Sequence, residues 1–201
     1  MARRYEKINN RKPLIVICSE GGMKSSEYYY FRNFKNRDLR IQFWAGNSTD
    51  PKGMLNDLLK YIKNEDIKSE DNVRIFLVLD TDLSERRISE IRSIEQVCIK
   101  NNIEIITSAP TFEIWYLMHY RDNKLKFNCS RDVKYELRNL LGSYNESMNI
   151  YKIISHNTDN AIKIARNIED KVIKNKEDLY KINPHTSIYK IVSAINILLK
   201  I

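Results

Sequence analysis

The chain has 201 residues, a formal net charge of +8 and an isoelectric point near 9.3. This length supports one substantial hydrophobic core, and no apolar run approaches the roughly 20 residues of a membrane-spanning helix. An odd number of widely spaced cysteines (Cys18, Cys98 and Cys129) argues against a disulfide framework or a zinc site, so we expect a soluble, cytoplasmic protein away from the membrane. The charge favours an acidic partner such as nucleic acid, although an AT-rich genome accounts for the lysines equally well.

The first predicted strand covers residues 13–19, an apolar and β-branched run that leads directly into Glu20, Gly21 and Gly22. The glycines allow a tight turn or a positive φ immediately after the acid. A helix rich in aromatic residues is predicted next, with Glu27 near its start. Glu20 and Glu27 are therefore either surface acids of a turn and a helix or members of a site.

The most informative segment is residues 75–82, where an apolar run ends in Asp80 and Asp82 and predicts a buried parallel strand. Side chains two residues apart on a strand point the same way, so we expect both acids to project together at the carboxyl end, where α/β sheets bind ligands. If this strand lies beside the first, Glu20 joins them, and such oxygen ligands suit Mg²⁺ or Mn²⁺. The alternative is a pair of turn and cap acids, but Ser84 is already available to cap the next helix.

The remaining elements alternate between strand and helix. In chain order they are a short strand at 41–44, a helix at 54–62, a helix at 85–98 and a strand at 103–107. Strands separated by helices imply parallel pairing with right-handed crossovers. We therefore predict an α/β fold with a mostly parallel sheet flanked by helices over about residues 11–120. A helical extension over residues 121–201 packs on it within a single domain.

The segment from Pro110 to His119 is open to two interpretations. Pro110 fits the first turn of a helix, in which Phe112, Trp115, Tyr116 and His119 share one face. That face either packs against the sheet, with His119 hydrogen-bonded at its rim, or belongs to the site.

The acids also sit in motifs that resemble a known family. A Glu-Gly turn and a later Asp-x-Asp, each after a hydrophobic strand, resemble the Toprim signature. A more specific resemblance, to the RloB-like (AbiLii) family, rests on several segments: Cys18-Ser19-Glu20-Gly21 followed by Ser26-Glu27 and Tyr30-Phe31, then Leu79-Asp80-Thr81-Asp82, residues 108–120 (SAPTFEIWYLMHY) and Asn183-Pro184-His185-Thr186. Two departures are a longer interval between Glu20 and Glu27, and Ser108 and Thr111 where the family often has Asn and Cys.

The resemblance implies a Toprim-like core and a nuclease that acts as an effector of antiphage abortive infection. Such families work with an ATPase sensor encoded nearby, and RNA, including tRNA, is favoured over DNA as the target. The implied metal ligands are Glu20, Glu27, Asp80 and Asp82, and the implied catalytic residues are Glu20, Asp80, Asp82, Glu113 and His119. A divalent ion would neutralise a phosphate oxygen and activate water, with Glu20 as ligand or general base. Glu113 is otherwise explained by the dipole of a helix N-terminus.

Basic residues near the acids are candidates for phosphate binding. They are Lys24, Arg86, Arg87, Lys126 and Lys152, with Arg121, Lys124 and Arg131 in the connection that follows His119. Arg86 and Arg87 follow the Asp-x-Asp within about one turn, and Lys152 lies in a family-like segment. Lysines on amphipathic helices are otherwise ordinary solvated residues.

Two other functions remain open. An Asp-x-Asp after a strand is also typical of haloacid-dehalogenase phosphatases, but here Leu83-Ser84 follows in place of Gly-Thr, which disfavours that class. The second is a nonenzymatic module that binds nucleic acid or an ATPase and keeps the acids for folding. The sequence leaves open whether the chain is a monomer or a homo-oligomer.

Overall fold

The computed structural model of the protein describes residues 12–67, 72–120 and 126–199. Strands and α-helices alternate through the first half, and helices dominate the second. In chain order the elements are β1 (Leu14–Ser19), α1 (Ser26–Phe31), β2 (Arg40–Trp44), α2 (Pro51–Asn64), β3 (Val73–Asp80), α3 (Glu85–Lys100), β4 (Ile103–Ala109), α4 (Ile114–Met118), α5 (Ser130–Leu141), α6 (Tyr151–Ile154), α7 (Thr158–Asn175), β5 (His185–Thr186) and α8 (Ile188–Leu199).

The strands form one sheet in the order β2-β1-β3-β4-β5. The first four are parallel, and β5 runs antiparallel to β4. The predicted neighbour relation between the first strand and the Asp80 strand is confirmed, with Ser19 opposite Val78. Because β4 extends two residues beyond its predicted end, Asp80 lies opposite Ser108. The carboxyl ends of β1, β3 and β4 therefore meet at one edge of the sheet.

Both faces of the sheet are covered, which explains the continuous apolar runs of β1 and β3. Val16, Leu77 and their neighbours on one face pack against α2 and α3. Ile17, Phe76 and their neighbours on the other face pack in a larger core with α1, α4, α7 and α8. The predicted α/β fold with a helical second half is confirmed.

Side-chain caps fix where the flanking helices begin. Asp50 accepts a hydrogen bond from the Gly53 amide at 2.8 Å, and Pro51 occupies the first position of α2. Ser84 accepts from the Arg87 amide at 3.4 Å at the start of α3, as the sequence predicts. That cap leaves the carboxylates of Asp80 and Asp82 unused in helix capping.

The helix predicted from Pro110 onward is much shorter than expected. It begins only at Ile114, and Pro110 lies in an irregular connection after a cis peptide bond with Ala109. The prediction that Pro110 occupies a first helical turn is therefore wrong. All five residues of α4 are buried, because the helix contacts α5, α7, β4 and β5. The predicted face of Phe112, Trp115, Tyr116 and His119 is buried in the core, and the remaining residues of α4 are buried as well.

The second half of the chain adds one strand that the sequence did not predict. His185 and Thr186 form β5, which pairs with Ala109 and Ser108. Side chains reinforce the pairing, since Ser108 Oγ lies 2.8 Å from Thr186 Oγ1 and His185 Nε2 lies 3.0 Å from Thr107 Oγ1. Within the described ranges, no helix combines the length and the apolar character that crossing a membrane demands.

Candidate active site

Acidic side chains line a cavity of about 260 Å³ at the sheet edge where β1, β3 and β4 end. Glu20 follows β1, Glu27 lies in the first turn of α1, Asp80 ends β3, and Glu113 precedes α4. The rest of the lining comprises Gly21, Ser25, Ser26, Thr49, Thr111, Phe112, Lys134 and Glu146. Of the predicted convergence of Glu20, Asp80 and Asp82, the part that concerns Glu20 and Asp80 is observed, and Glu113 joins them.

Close backbone approach, and not an unusual dihedral, explains Gly21. A Cβ at this position would lie 2.1 Å from Ser25 Cβ and 3.1 Å from Glu27 Oε2. Neither Gly21 nor Gly22 has a positive φ. The Ser25 amide donates a hydrogen bond to Gly22 O at 3.0 Å and closes a tight turn. The Glu-Gly turn therefore lies against the buried start of α1 and places Glu20 and Glu27 in one cavity.

One hydroxyl bridges two of the acids. Thr111 Oγ1 lies 3.0 Å from Asp80 Oδ2 and 2.7 Å from Glu113 Oε2. On its other oxygen, Glu113 accepts hydrogen bonds from Ser26 Oγ at 2.8 Å and from Tyr144 OH at 2.9 Å. Glu113 is thereby held by three hydroxyls, whereas Asp80 Oδ1 is buried and has no hydrogen-bond partner within the described part of the chain.

Burial and mutual repulsion oppose ionisation of these acids. Burial, followed by the charges of Glu113 and Glu146, raises the pKa of Glu27 to about 7. Burial, followed by the charges of Glu27 and Glu113, raises the pKa of Asp80 well above its usual range, against the lowering effect of the Thr111 hydrogen bond. Burial and mutual repulsion therefore favour the protonated forms of Glu27 and Asp80, and a bound cation would favour their ionised forms.

Arg87 ties the ends of β1 and β3 together. Its guanidinium forms an ion pair with Glu20 and donates to Asp80 O at 3.2 Å and Thr49 O at 3.0 Å. Its side chain is only 12% exposed, and burial lowers its pKa. Arg87 was predicted to bind substrate, but the structure gives it the position of an internal tether.

The family comparison covers this whole arrangement. The model that describes the RloB-like protein family matches residues 15–195. The chain belongs to the RloB-like protein family. Comparisons with curated proteins and with solved structures returned no match. All five acids of the cavity, including Glu146, lie within the matched residues of this RloB-like protein.

Asp82 departs from the position that strand geometry predicts. β3 ends at Asp80, and Asp82 and Leu83 both take left-handed conformations, with φ of 50° and 55°. The alternation of a strand does not extend into such a turn, so the prediction that Asp80 and Asp82 project together from one strand is wrong. The side chain of Asp82 is exposed and is not part of the cavity lining.

His119 lies in the core of the RloB-like protein and outside the cavity lining. Its Nδ1 is 2.8 Å from Trp115 O, and its Nε2 is 3.4 Å from Thr158 Oγ1. Burial lowers its pKa to about 4, so the imidazole is neutral near neutral pH. The structure favours the packing interpretation of this histidine.

The other predicted phosphate-binding residues are dispersed. Lys24 and Lys152 are exposed on the loop before α1 and on α6, and Arg86 is exposed and paired with Glu90 at 2.9 Å. Lys126 lines a separate cavity of about 560 Å³. Arg121 and Lys124 lie outside the described residues.

Several residues of the cavity were not identified from the sequence. Ser26 and Thr111 supply hydroxyls, Tyr144 adds a third, and Lys134 of α5 pairs with Glu146. Partial burial would lower the pKa of Lys134, but the Glu146 hydrogen bond and the charges of Glu113 and Asp80 outweigh it and raise that pKa. Thr111 stood out only as a departure from the family pattern. Lys134 looked like any lysine on an amphipathic helix.

The donor set of the cavity fits a hard divalent cation. Carboxylate oxygens are the preferred ligands of Mg²⁺ and Mn²⁺, and the unpaired Asp80 Oδ1 is a buried oxygen that a cation would satisfy. In the described part of the chain, however, no three His, Cys, Asp or Glu side chains are already arranged as metal ligands. Ion pairing of Glu20 with Arg87 and hydroxyl bonding of Glu113 account for this, since both carboxylates are directed at other partners.

Proposed function

We propose that this RloB-like protein is a Toprim-type, Mg²⁺- or Mn²⁺-dependent nuclease that cleaves phosphodiester bonds, in RNA more readily than in DNA. The observation that carries the proposal is a cavity lined by five carboxylates, two of them (Glu20 and Asp80) at the carboxyl ends of adjacent parallel strands, in which Asp80 Oδ1 is buried without a partner in the described part of the chain. Clustered acids of raised pKa in a cleft are typical of functional sites. A basic chain of +8 also fits a polyanionic substrate.

Asp80 and Glu27 are the residues best suited to hold the cation: Glu27 is buried, Asp80 is half-buried with a buried Oδ1, and neither is committed to an ion pair with a basic side chain of the described chain. When bound, a divalent ion would neutralise a non-bridging phosphate oxygen and favour deprotonation of the attacking water. Glu20 would serve as a further ligand or as the general base, and either role requires it to leave Arg87.

The remaining polar groups of the cavity have supporting roles in this proposal. The Lys134 ammonium, on the α5 side, would attract the phosphate and offset its growing negative charge. The Thr111 hydroxyl would fix the orientation of Asp80 and Glu113 relative to each other. Asp82 lies just outside; its partial burial raises its pKa, against the lowering effect of the Lys134 ammonium.

A cleavage assay tests the proposal. Purified protein is incubated with tRNA, single-stranded RNA and duplex DNA in Mn²⁺, Mg²⁺ or EDTA, beside Asp80→Asn and the control Asp170→Asn, an exposed acid on α7. We expect metal-dependent products from the wild type and Asp170→Asn that are lost in Asp80→Asn. Cleavage that persists in EDTA, or equally in Asp80→Asn, contradicts the proposed site.

The biological role is proposed from the family resemblance. We infer an effector of antiphage abortive infection whose activity is controlled by an ATPase sensor encoded nearby. Co-purification of such an ATPase with the tagged protein, and cleavage that depends on its nucleotide, are the expected results. Full activity of the isolated chain would argue against this control.

One pair of observations favours a nonenzymatic binding module as a second candidate. Glu20 is paired with Arg87, and Glu113 is held by three hydroxyls, so both acids contribute to the folded structure. Thermal unfolding separates the candidates. If the site binds metal, Mn²⁺ should raise the melting temperature of the wild type but not that of Asp80→Asn. If the acids are only structural, Mn²⁺ should change the melting temperature of neither protein.

A further inference from the structure

We propose that Tyr28, Tyr29, Arg32 and Phe43 form a stacking platform for the unpaired bases of a single-stranded nucleic acid whose backbone enters the acidic cavity. This aromatic platform deepens the proposed nuclease function and rests on it for the role of the cavity. It assigns the substrate class, because stacking on protein rings requires bases whose faces are free.

The helix α1 joins the platform to the cavity. Glu27 is buried and lines the cavity, and the next two residues, Tyr28 and Tyr29, are half-exposed. Arg32 follows four residues after Tyr28 and three after Tyr29, the spacings that place side chains on one helix face. Its guanidinium lies 5.6 Å from the centroid of each ring.

A third ring extends this surface onto the edge strand. Phe43 of β2 lies 5.4 Å from Tyr28 in an edge-to-face arrangement, and Tyr28 lies 5.6 Å from Tyr29. β2 is the outermost strand on this side of the described sheet, so the rings border an open margin. The group therefore places three half-exposed rings and one exposed guanidinium side by side at this margin.

Phe43 also packs against the main core, but core packing does not explain the two tyrosines. The following residues of the same helix, Tyr30 and Phe31, are fully buried and pack with Phe112 and Trp115. Tyr28, Tyr29 and Phe43 are only half-buried, and Arg32 is exposed. Exposed aromatic side chains interleaved with arginine are the usual platform for unpaired bases.

The surrounding charge suits a phosphate backbone. Residues 23–44 contain five basic side chains, all exposed, and only two acids, of which Glu27 is buried inside the cavity. The basic residues are Lys24, Arg32, Lys35, Arg37 and Arg40. A strand stacked on the rings would thus meet positive charge along its backbone and reach the carboxylates within one helical turn.

Oligonucleotide binding tests the platform separately from cleavage. Fluorescence anisotropy is measured with the full chain in EDTA, using labelled single-stranded RNA, single-stranded DNA and the duplexes of the same sequence. The variants are Tyr28→Leu with Tyr29→Leu, the conservative Tyr28→Phe with Tyr29→Phe, and Arg32→Ala. Arg166→Ala is the matched control, because Arg166 is also exposed and lies 5.6 Å over a tyrosine ring, Tyr189, but on α7. Circular dichroism verifies that each variant is folded.

We expect single strands to bind more tightly than duplexes. The double Leu variant should bind single strands roughly tenfold more weakly or worse, while the double Phe variant retains wild-type affinity because the rings remain. Arg32→Ala should lose more affinity than Arg166→Ala, although both remove one positive charge. Comparison of the affinities for single-stranded RNA and single-stranded DNA shows whether the platform prefers ribose or deoxyribose.

Unchanged affinity of the double Leu variant, equal affinity for duplexes, or no binding of any oligonucleotide would overturn the platform. The same surface would then fit a protein partner at the β2 edge. Because EDTA prevents metal-dependent turnover, a failed cleavage assay leaves these binding results intact. Cleavage that survives in the double Leu variant with unchanged rate would reject the platform while leaving the nuclease standing.

Discussion

Asp80 and Glu113 share a single hydroxyl, that of Thr111, at 3.0 Å and 2.7 Å. One hydroxyl carries one proton and donates to one carboxylate at a time. Both contacts are therefore hydrogen bonds only if one of the two acids is protonated, which agrees with the raised pKa of Asp80. A cation at Asp80 would replace that proton and free Thr111 to donate to either carboxylate.

Thr111→Val should expose the importance of this bridge. It keeps the shape of the side chain and removes a hydroxyl that bonds charged groups, so we expect a loss of about 1.5–3 kcal/mol in the free energy of unfolding. Urea denaturation measures it, with Thr158→Val as the control, since the recorded partners of the Thr158 hydroxyl, among them the Ser155 carbonyl and His119, are neutral groups. A smaller loss for Thr111→Val than for the control would show that the bridge does not stabilise the fold.

Gly21→Ala should damage the site, whereas Gly22→Ala should not. The new methyl group of Gly21→Ala would lie 2.1 Å from Ser25 Cβ, while a Cβ on Gly22 meets no atom within 4 Å. We expect Gly21→Ala to lose about 1–3 kcal/mol of stability and the proposed metal-dependent cleavage, because α1 and Glu27 must shift. Equal stability and activity of the two variants would refute the close approach.

The fold was predictable where local pattern and tertiary environment agree. Apolar runs of β1 and β3 identify strands covered on both faces, and the acids directly after them had to meet at one edge. Asp82 was misplaced because strand alternation was extended two residues beyond Asp80, into a turn whose left-handed φ at Asp82 and Leu83 has no glycine to signal it.

The other residues that the sequence did not place correctly are positioned by tertiary contacts. Lys134 and Tyr144 lie far along the chain from the acids they contact, on segments whose local patterns are those of ordinary surface helix and loop. Pro110 looked like a helix start because its neighbours are helical in spacing. Its actual role is in the connection, where its carbonyl lies 3.3 Å from the Asp82 amide. The hydrophobic periodicity of one sequence does not indicate contacts between residues that are distant along the chain.

Glu27→Gln should remove a pH dependence of stability. The pKa of Glu27 is about 7 in the folded protein and 4.5 ordinarily, so its folding contribution is fully present below about pH 4.5 and is lost as the pH rises through 7. In EDTA we expect the wild type to lose stability relative to Glu27→Gln over this window, by at most about 1.4 kcal/mol per pH unit.

Urea unfolding of both proteins from pH 5 to pH 8 measures this difference. Burial lowers the pKa of His119 and His185 to about 4. These two histidines therefore reduce the stability of the folded protein as the pH falls below about 6.5, the opposite pH dependence to that of Glu27. Their contribution is common to both proteins and cancels. Parallel stability curves for wild type and Glu27→Gln would mean that Glu27 is ionised throughout.

Arg86 and Arg87 are adjacent in sequence and were both predicted to bind phosphate, yet their surroundings differ. Arg87 is largely buried and joins Glu20 to the carbonyls of Asp80 and Thr49, whereas Arg86 is 89% exposed and pairs with Glu90 one turn away. Arg87→Met should therefore cost about 2–3 kcal/mol, because it leaves Glu20 and two carbonyls without their charged donor. Arg86→Met should cost at most about 0.5 kcal/mol, as for other exposed helix pairs.

Chemical denaturation of the two variants tests this assignment, and oligonucleotide affinity supplies a second readout. If Arg87 is a tether, Arg87→Met loses stability while the salt dependence of binding by the folded protein remains that of the wild type. If Arg87 instead contacts phosphate, the slope of log affinity against log salt falls by about one and stability changes little. The second pattern would return Arg87 to the substrate-binding set.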